Sequence, residues 1–207
     1  MLTLPLPEQR PADEPVRRSA IGGYTLALSW SPEYCRTRKN SPRDAVQCAG
    51  KTGDFGFVLH GLWPEARRGA YPQWCRTAAP IPRAIVRENI CMTPSPQLMQ
   101  HEWAKHGTCM ARSPSVYFRT ARVLFEALDF PDMDRLSRSK ATAGSVVTAF
   151  TAVNPGLRPE MLQILANRRG WLTEVRLCLG EDFRPRRCRV GQGGLPGNAS
   201  IKIWRSL

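Results

Sequence analysis

The sequence predicts an α+β domain with a mainly antiparallel central sheet, flanked by helices and stapled by disulfides. Three observations carry that expectation. Bulky apolar residues alternate at Tyr24, Leu26, Leu28 and Trp30, with Thr25, Ala27 and Ser29 between them, which is the period of a strand with one face in a core. Strand-like and helix-like segments then follow in mixed order, without the regular alternation of a parallel array. Seven cysteines, at positions 35, 48, 75, 91, 109, 178 and 188, include no Cys-x-x-Cys pair, so they point to an oxidising compartment and not to zinc or redox chemistry.

Pro32 ends the first strand, and the polar, basic residues 36–53 read as a surface loop that Cys35 and Cys48 could staple. A second strand is expected over residues 55–60, stopping at Gly61 and Pro64. Residues 65–82 are loop-like, and a short helix follows around residues 83–89. Pro94 and Ser95 set up a helix over residues 96–106, closed by Gly107 as a left-handed cap. Ser113 followed by Pro114 starts another, running to Asp129 and burying Phe118, Ala121, Phe125 and Leu128. A helix over residues 144–153 precedes strands at 161–165 and 171–179 about a turn at 168–170, and residues 201–204 read as a last strand.

The 207 residues suffice for one domain, expected over 22–207, and residues 1–21 read as a flexible tail rich in proline and charge. Those first residues lack the uninterrupted apolar core of a secretory leader, so no native leader is visible in them. No stretch is apolar enough to cross a bilayer, and no membrane insertion is expected. A net charge of +13 and a pI near 10.1, supplied mostly by arginine, suit a polyanionic partner.

Only three histidines occur, and all lie in two short segments, residues 57–64 (FVLHGLWP) and 101–109 (HEWAKHGTC). On a helix, His101, Lys105, Glu102 and His106 fall at about 0, 40, 100 and 140°, one contiguous face. Two imidazoles, an ammonium and a carboxylate there form an anion site with its own proton donors and acceptors, suited to a phosphodiester. A zinc-protease reading fails on spacing, because His101 and His106 are five apart where His-Glu-x-x-His needs four, and Lys105 would oppose a cation. RNA can be cut without a metal when a base takes the proton of the 2′-hydroxyl and an acid protonates the departing 5′-oxygen; His60 and His106 are the natural pair.

Both segments resemble the two active-site segments of the ribonuclease T2 family, which read x-x-His-Gly-Leu-Trp-Pro and His-Glu-aromatic-x-Lys-His-Gly-x-Cys. Residues 30–35 (WSPEYC), with one residue in place of two between Pro and Tyr, are similar to the family's Trp-x-Pro-x-x-Tyr-Cys, and residues 171–188 to its late strand and disulfide loop. The resemblance covers residues 22–204. It implies an endoribonuclease of single-stranded RNA that forms a 2′,3′-cyclic phosphate and hydrolyses it slowly, with no metal or cofactor. His106 would be the general base, His60 the general acid, and Glu102 and Lys105 stabilisers of the phosphorane. His101 would bind phosphate and Trp63 would pack at the base site. Glu65 stands where family members often carry Asp, Ser or Gly, in a neighbourhood that touches the base, so broad base preference is the expectation. The resemblance also implies Cys75 with Cys109 and Cys178 with Cys188, with Cys35 and Cys48 as a third pair and Cys91 left over. A monomer of the periplasm or of secretions is expected. A catalytically silent RNA-binding or signalling protein of the same fold is the alternative, and a missing histidine or Glu102 would have favoured it.

If the arginines steer RNA, kcat/KM on polymeric RNA should fall steeply with added salt while that on a dinucleotide changes little. Equal dependence for both substrates would show the charge to be incidental.

Overall fold

The computed structural model describes residues 4–51, 53–189, 191 and 193–205; positions 1–3 of the expected tail, and 206–207 of the expected domain, lie outside it. In chain order it has β1 (Ile21–Trp30), α1 (Ser31–Cys35), α2 (Ala45–Cys48), β2 (Phe57–Ala66), α3 (Arg83–Asn89) and α4 (Pro96–Glu102). A π-helical turn (Trp103–Gly107), α5 (Thr108–Met110), α6 (Pro114–Glu126), α7 (Met133–Ser137), α8 (Ala143–Val153), β3 (Leu162–Ala166) and β4 (Leu172–Leu179) complete it. The strands form an antiparallel sheet in the order β2-β1-β4-β3. No helix among the described residues is long and apolar enough to cross a membrane.

By packing, the chain divides into two units, the first made of Met1–Leu26, Leu59–Ala127 and Leu179–Arg184, the second of Ala27–Val58, Leu128–Cys178 and Pro185–Leu207. The first unit holds all three histidines. In it β2 does not stop at Gly61 but continues to Ala66, and Pro64 is tolerated because β2 lies at the edge of the sheet. The backbone of β2 is bound by neighbouring residues on either side of His60. Leu59 N donates to Met92 O at 2.8 Å, and the Thr93 hydroxyl donates to Leu59 O. The buried Tyr117 hydroxyl of α6 reaches both the N–H and the C=O of Leu62. Tyr117 belongs to the buried face of α6 with Phe118 and Ala121, whereas Phe125 and Leu128, expected there, are only half-buried.

The expected single helix over residues 96–106 has a different end. Ser95 caps α4 by accepting from Leu98 N, but the chain then widens into the π turn and runs on into α5. Gly107 is right-handed, at φ −61° and ψ −38°, and is not a left-handed cap. Its small size serves packing: a Cβ there would overlap the Trp103 ring and lie 2.9 Å from Tyr117 Cγ. The Cys75–Cys109 disulfide ties the loop after β2 to α5.

In the second unit the core gathers Trp30, Phe57 and Phe150, with the Phe57 ring 4.8 Å from Trp30 and 5.2 Å from Phe150. β1, an inner strand, buries Thr25 and Ala27 as well as Leu26 and Leu28, so its period-two pattern understated its burial. Residues 36–53, read as loop, contain α2, and Cys35–Cys48 closes them; Cys178–Cys188 closes the loop after β4. β3 and β4 pair antiparallel about a turn in which Asn167 Oδ1 accepts from Arg169 N and Trp171 N, and Gly170 takes φ +77°. The expected last strand at 201–204 supplies only an isolated bridge, Trp171 with Lys202. Leu195 N donates to Ile164 O on β3. Cys91, in the first unit, is the free cysteine and is exposed.

Gly107→Ala should cost about 1–3 kcal/mol through overpacking against Trp103 and Tyr117. Urea unfolding measures it; a change within error would remove the packing explanation.

Candidate active site

Six of the seven expected site residues come together in the first unit. β2 presents His60 and Trp63 on one side, and α4 with the π turn presents His101, Glu102, Lys105 and His106 on the other. π turns follow an i→i+5 pattern in place of i→i+4, so this one rotates His106 back toward the face of His101 and Glu102. A regular helix would have held them farther apart in angle.

Glu102 is the hub. Its side chain is buried, with Oε2 accepting from Trp63 Nε1 at 2.7 Å and Oε1 lying 3.7 Å from His60 Nε2. Burial pushes its carboxyl above the ordinary carboxylate range, opposed by the charge of His60, the Trp63 hydrogen bond, and the charges of His101 and Lys105. Gly61 makes this approach possible, because any Cβ there would fall on the Glu102 carboxylate. The Trp63 ring stands edge-on to His60 at 5.1 Å and tilted over His106 at 5.7 Å, touching both imidazoles.

The two histidines differ in environment. His106 is buried, and its Nδ1 has no hydrogen-bond partner among the described residues. Burial, then the charges of Lys105, His101 and His60, hold its imidazole well below the ordinary 6.5, so the ring is neutral and able to take a proton. His60 is one-third exposed beside the Glu102 carboxylate, which is a partner for a protonated ring.

Two aromatic residues of the site carried no expectation. Tyr71 lies 5.9 Å from the His106 ring, and Trp74 stands edge-on to His101 at 5.6 Å with Lys105 Nζ 5.9 Å from its centroid. Trp74 has φ +54°, a left-handed conformation rare for a bulky residue, held where its N–H donates to Lys105 O at 2.7 Å and the next residue is the cross-linked Cys75. Aromatic residues beside a cysteine in a Gly- and Pro-rich loop were the available signal. Glu65 is linked to β1 through the Thr25 hydroxyl at 2.9 Å and not to the histidine cluster.

Two imidazoles in unlike environments beside a buried carboxylate and a lysine define a class of site able to give and take protons next to an anion. Residues 21–188 match the model of the ribonuclease T2 family, and the chain belongs to that family. A ribonuclease of Aeromonas hydrophila is 37% identical over 169 residues, 77% of this chain and 72% of the relative. A probable ribonuclease of Haemophilus influenzae is 34% identical over 134 residues, 59% of this chain and 48% of the relative, so the chain spans about half the length of that protein. Among solved structures, an RNase-related protein from Calystegia sepium superposes with a TM-score of 0.69 at 19% identity, covering 90% of this chain and all of the other. RNase NT in complex with 5′-AMP superposes at 0.64 with 21% identity, covering 89% of this chain and 98% of that one. At those identities the likeness speaks to the fold.

Trp63→Phe keeps an aromatic ring and removes the N–H bond that favours the charged Glu102. The Glu102 carboxyl should then titrate at higher pH by carboxyl-carbon NMR; an unchanged titration would mean the Trp63 bond does not set its charge.

Proposed function

We propose that the chain is an endoribonuclease that cleaves single-stranded RNA by transphosphorylation, with broad base preference and no metal or cofactor in the chemistry. A single catalytic domain over residues 22–207 carries this activity, as a monomer in the periplasm or outside the cell, where the three disulfides persist. The observation that most supports the reading is the asymmetry of the two imidazoles, one buried and held neutral, the other one-third exposed beside a carboxylate, with Trp63 against both.

In this mechanism His106 takes the proton of the 2′-hydroxyl, and the 2′-oxygen attacks phosphorus. The bond to the 5′-oxygen breaks, and His60 gives that oxygen its proton. Charge developing on the non-bridging oxygens is met by Lys105 and by Glu102, whose raised carboxyl can donate a hydrogen bond when protonated. His101 binds phosphate, Trp63 packs at the base site, and Glu65 enters the base-contacting neighbourhood. Water then opens the 2′,3′-cyclic phosphate slowly to a 3′-phosphate, with the histidines in exchanged roles.

His60→Ala and His106→Ala should each cost several orders of magnitude in kcat/KM, and the double variant far less than the product of the two. DNA and 2′-O-methyl RNA should resist, and EDTA should leave activity in place. Since His106 works deprotonated, kcat/KM should fall as pH drops through its folded-state value, putting the acid limb below 6.5. RNA cleavage that survives His106→Ala, or an acid limb above 6.5, would overturn the assignment.

A further inference from the structure

Residues 4–20 run along the first unit and place two carboxylates on basic side chains of the site. Glu14 holds Lys105 Nζ between its two oxygens, 2.9 Å from Oε1 and 2.8 Å from Oε2, and Oε2 also accepts from Trp74 Nε1 at 2.5 Å. Glu8 lies 2.9 Å from His101 Nδ1 with Oε1, and its Oε2 accepts from Gln97 Nε2 at 2.9 Å. Each carboxylate thus sits in a pair of donors, one charged or chargeable and one neutral, as a phosphate would. Partial burial opposes ionisation of Glu14, but the bonds from Lys105 and Trp74 and the charges of Lys105 and His101 outweigh it and lower its carboxyl below the usual value.

The two halves of the segment are held differently. Residues 15–20 are fastened by backbone and by side chains that do not belong to the site. Arg17 and Gln73 exchange two backbone bonds of 3.0 Å, Arg17 Nε donates to Tyr71 O, Ser19 to Ala70 O and Arg18 Nε to Cys75 O. Pro5 alone among residues 4–14 is buried, Leu6 is 72% and Leu4 50% exposed, and the bonds to the rest of the unit come from Glu8, Glu14 and the Leu6 backbone on Gln97. Such a hold is electrostatic, and a polyanion competes with it directly.

We propose that residues 4–20 form a displaceable strap whose Glu8 and Glu14 carboxylates occupy two phosphate subsites of the RNA groove, the first completed by Gln97 and the second by Trp74. RNA binding lifts the acidic half off His101 and Lys105, while the half anchored at Tyr71, Gln73 and Cys75 stays in place. The strap therefore lowers the affinity for short, weakly charged substrates more than for long RNA. The proposal rests on the phosphodiester-cleaving reading of the cluster.

The test compares the full chain with Glu8→Gln/Glu14→Gln, and with Glu126→Gln/Asp134→Asn as a control that removes the same charge at exposed positions outside the site. Calorimetric binding of inorganic phosphate should tighten by about 3- to 10-fold in the first variant alone, and KM for a dinucleoside phosphate should fall by about the same factor with kcat within about 2-fold. Equal affinities in the full chain and the first variant, or equal tightening in the control, would overturn the strap. If no form cuts RNA, the proposed function fails by itself, and phosphate binding still decides between an occupied and an open pair of subsites.

Discussion

A carboxylate taken out of water costs several kcal/mol unless it is met by partners, and Glu102 organises the first unit around that requirement. Its partners come from β2, through the Trp63 indole and the His60 ring, while the residue itself belongs to α4. Strand and helix must therefore stand at one separation, and Gly61 is the residue that lets them reach it. Tyr117 reinforces the same spacing from α6 by holding both backbone groups of Leu62, and burial together with the Glu102 charge keeps its hydroxyl protonated well above its ordinary range. Site geometry and packing are one problem here.

That unity explains which parts of the site could be read from residues alone. Histidine, glutamate and lysine at fixed spacing announce chemistry because few other demands place them together. Five of the six residues that converge carry an ionisable side chain, and Trp63 sits within the same short segment. Glu65 follows that segment directly, two residues after Trp63, yet its partner is Thr25 of β1, a contact that only strand order decides. Trp74 and Tyr71 were hidden for a similar reason, since their approach depends on a left-handed backbone at Trp74 and a disulfide one residue on.

The fold shows the same division. Helices bounded by a capping serine and a proline, such as α4 and α6, begin where the local chemistry puts them, because Ser95 and Ser113 satisfy backbone N–H groups within the next turn. Ends are set by neighbours. A glycine after a helical run ordinarily offers a left-handed stop, but Gly107 is where Trp103 and Tyr117 leave no room for a side chain, and the helix passes through it. Proline at 64 suggested the end of a strand, yet an outer position in the sheet demands nothing of its missing N–H. Residues 4–20 looked like tail by composition, and their placement comes from Glu8 and Glu14 finding basic side chains 93 and 91 residues further along the chain.

The bonds on the outer strands have a consequence for the behaviour of the chain in solution. A sheet with free edges is a template for further strands, and a chain at high local concentration is exposed to intermolecular pairing. On β2 the groups of Leu59 are taken by Met92 and Thr93, those of Leu62 by Tyr117, and Pro64 has no donor to offer. On β3 the Ile164 carbonyl is taken by Leu195. At these points the same bonds that fix the strands also block templated addition of a neighbour, giving the sheet protection against aggregation that does not rely on the repulsion of its positive charge.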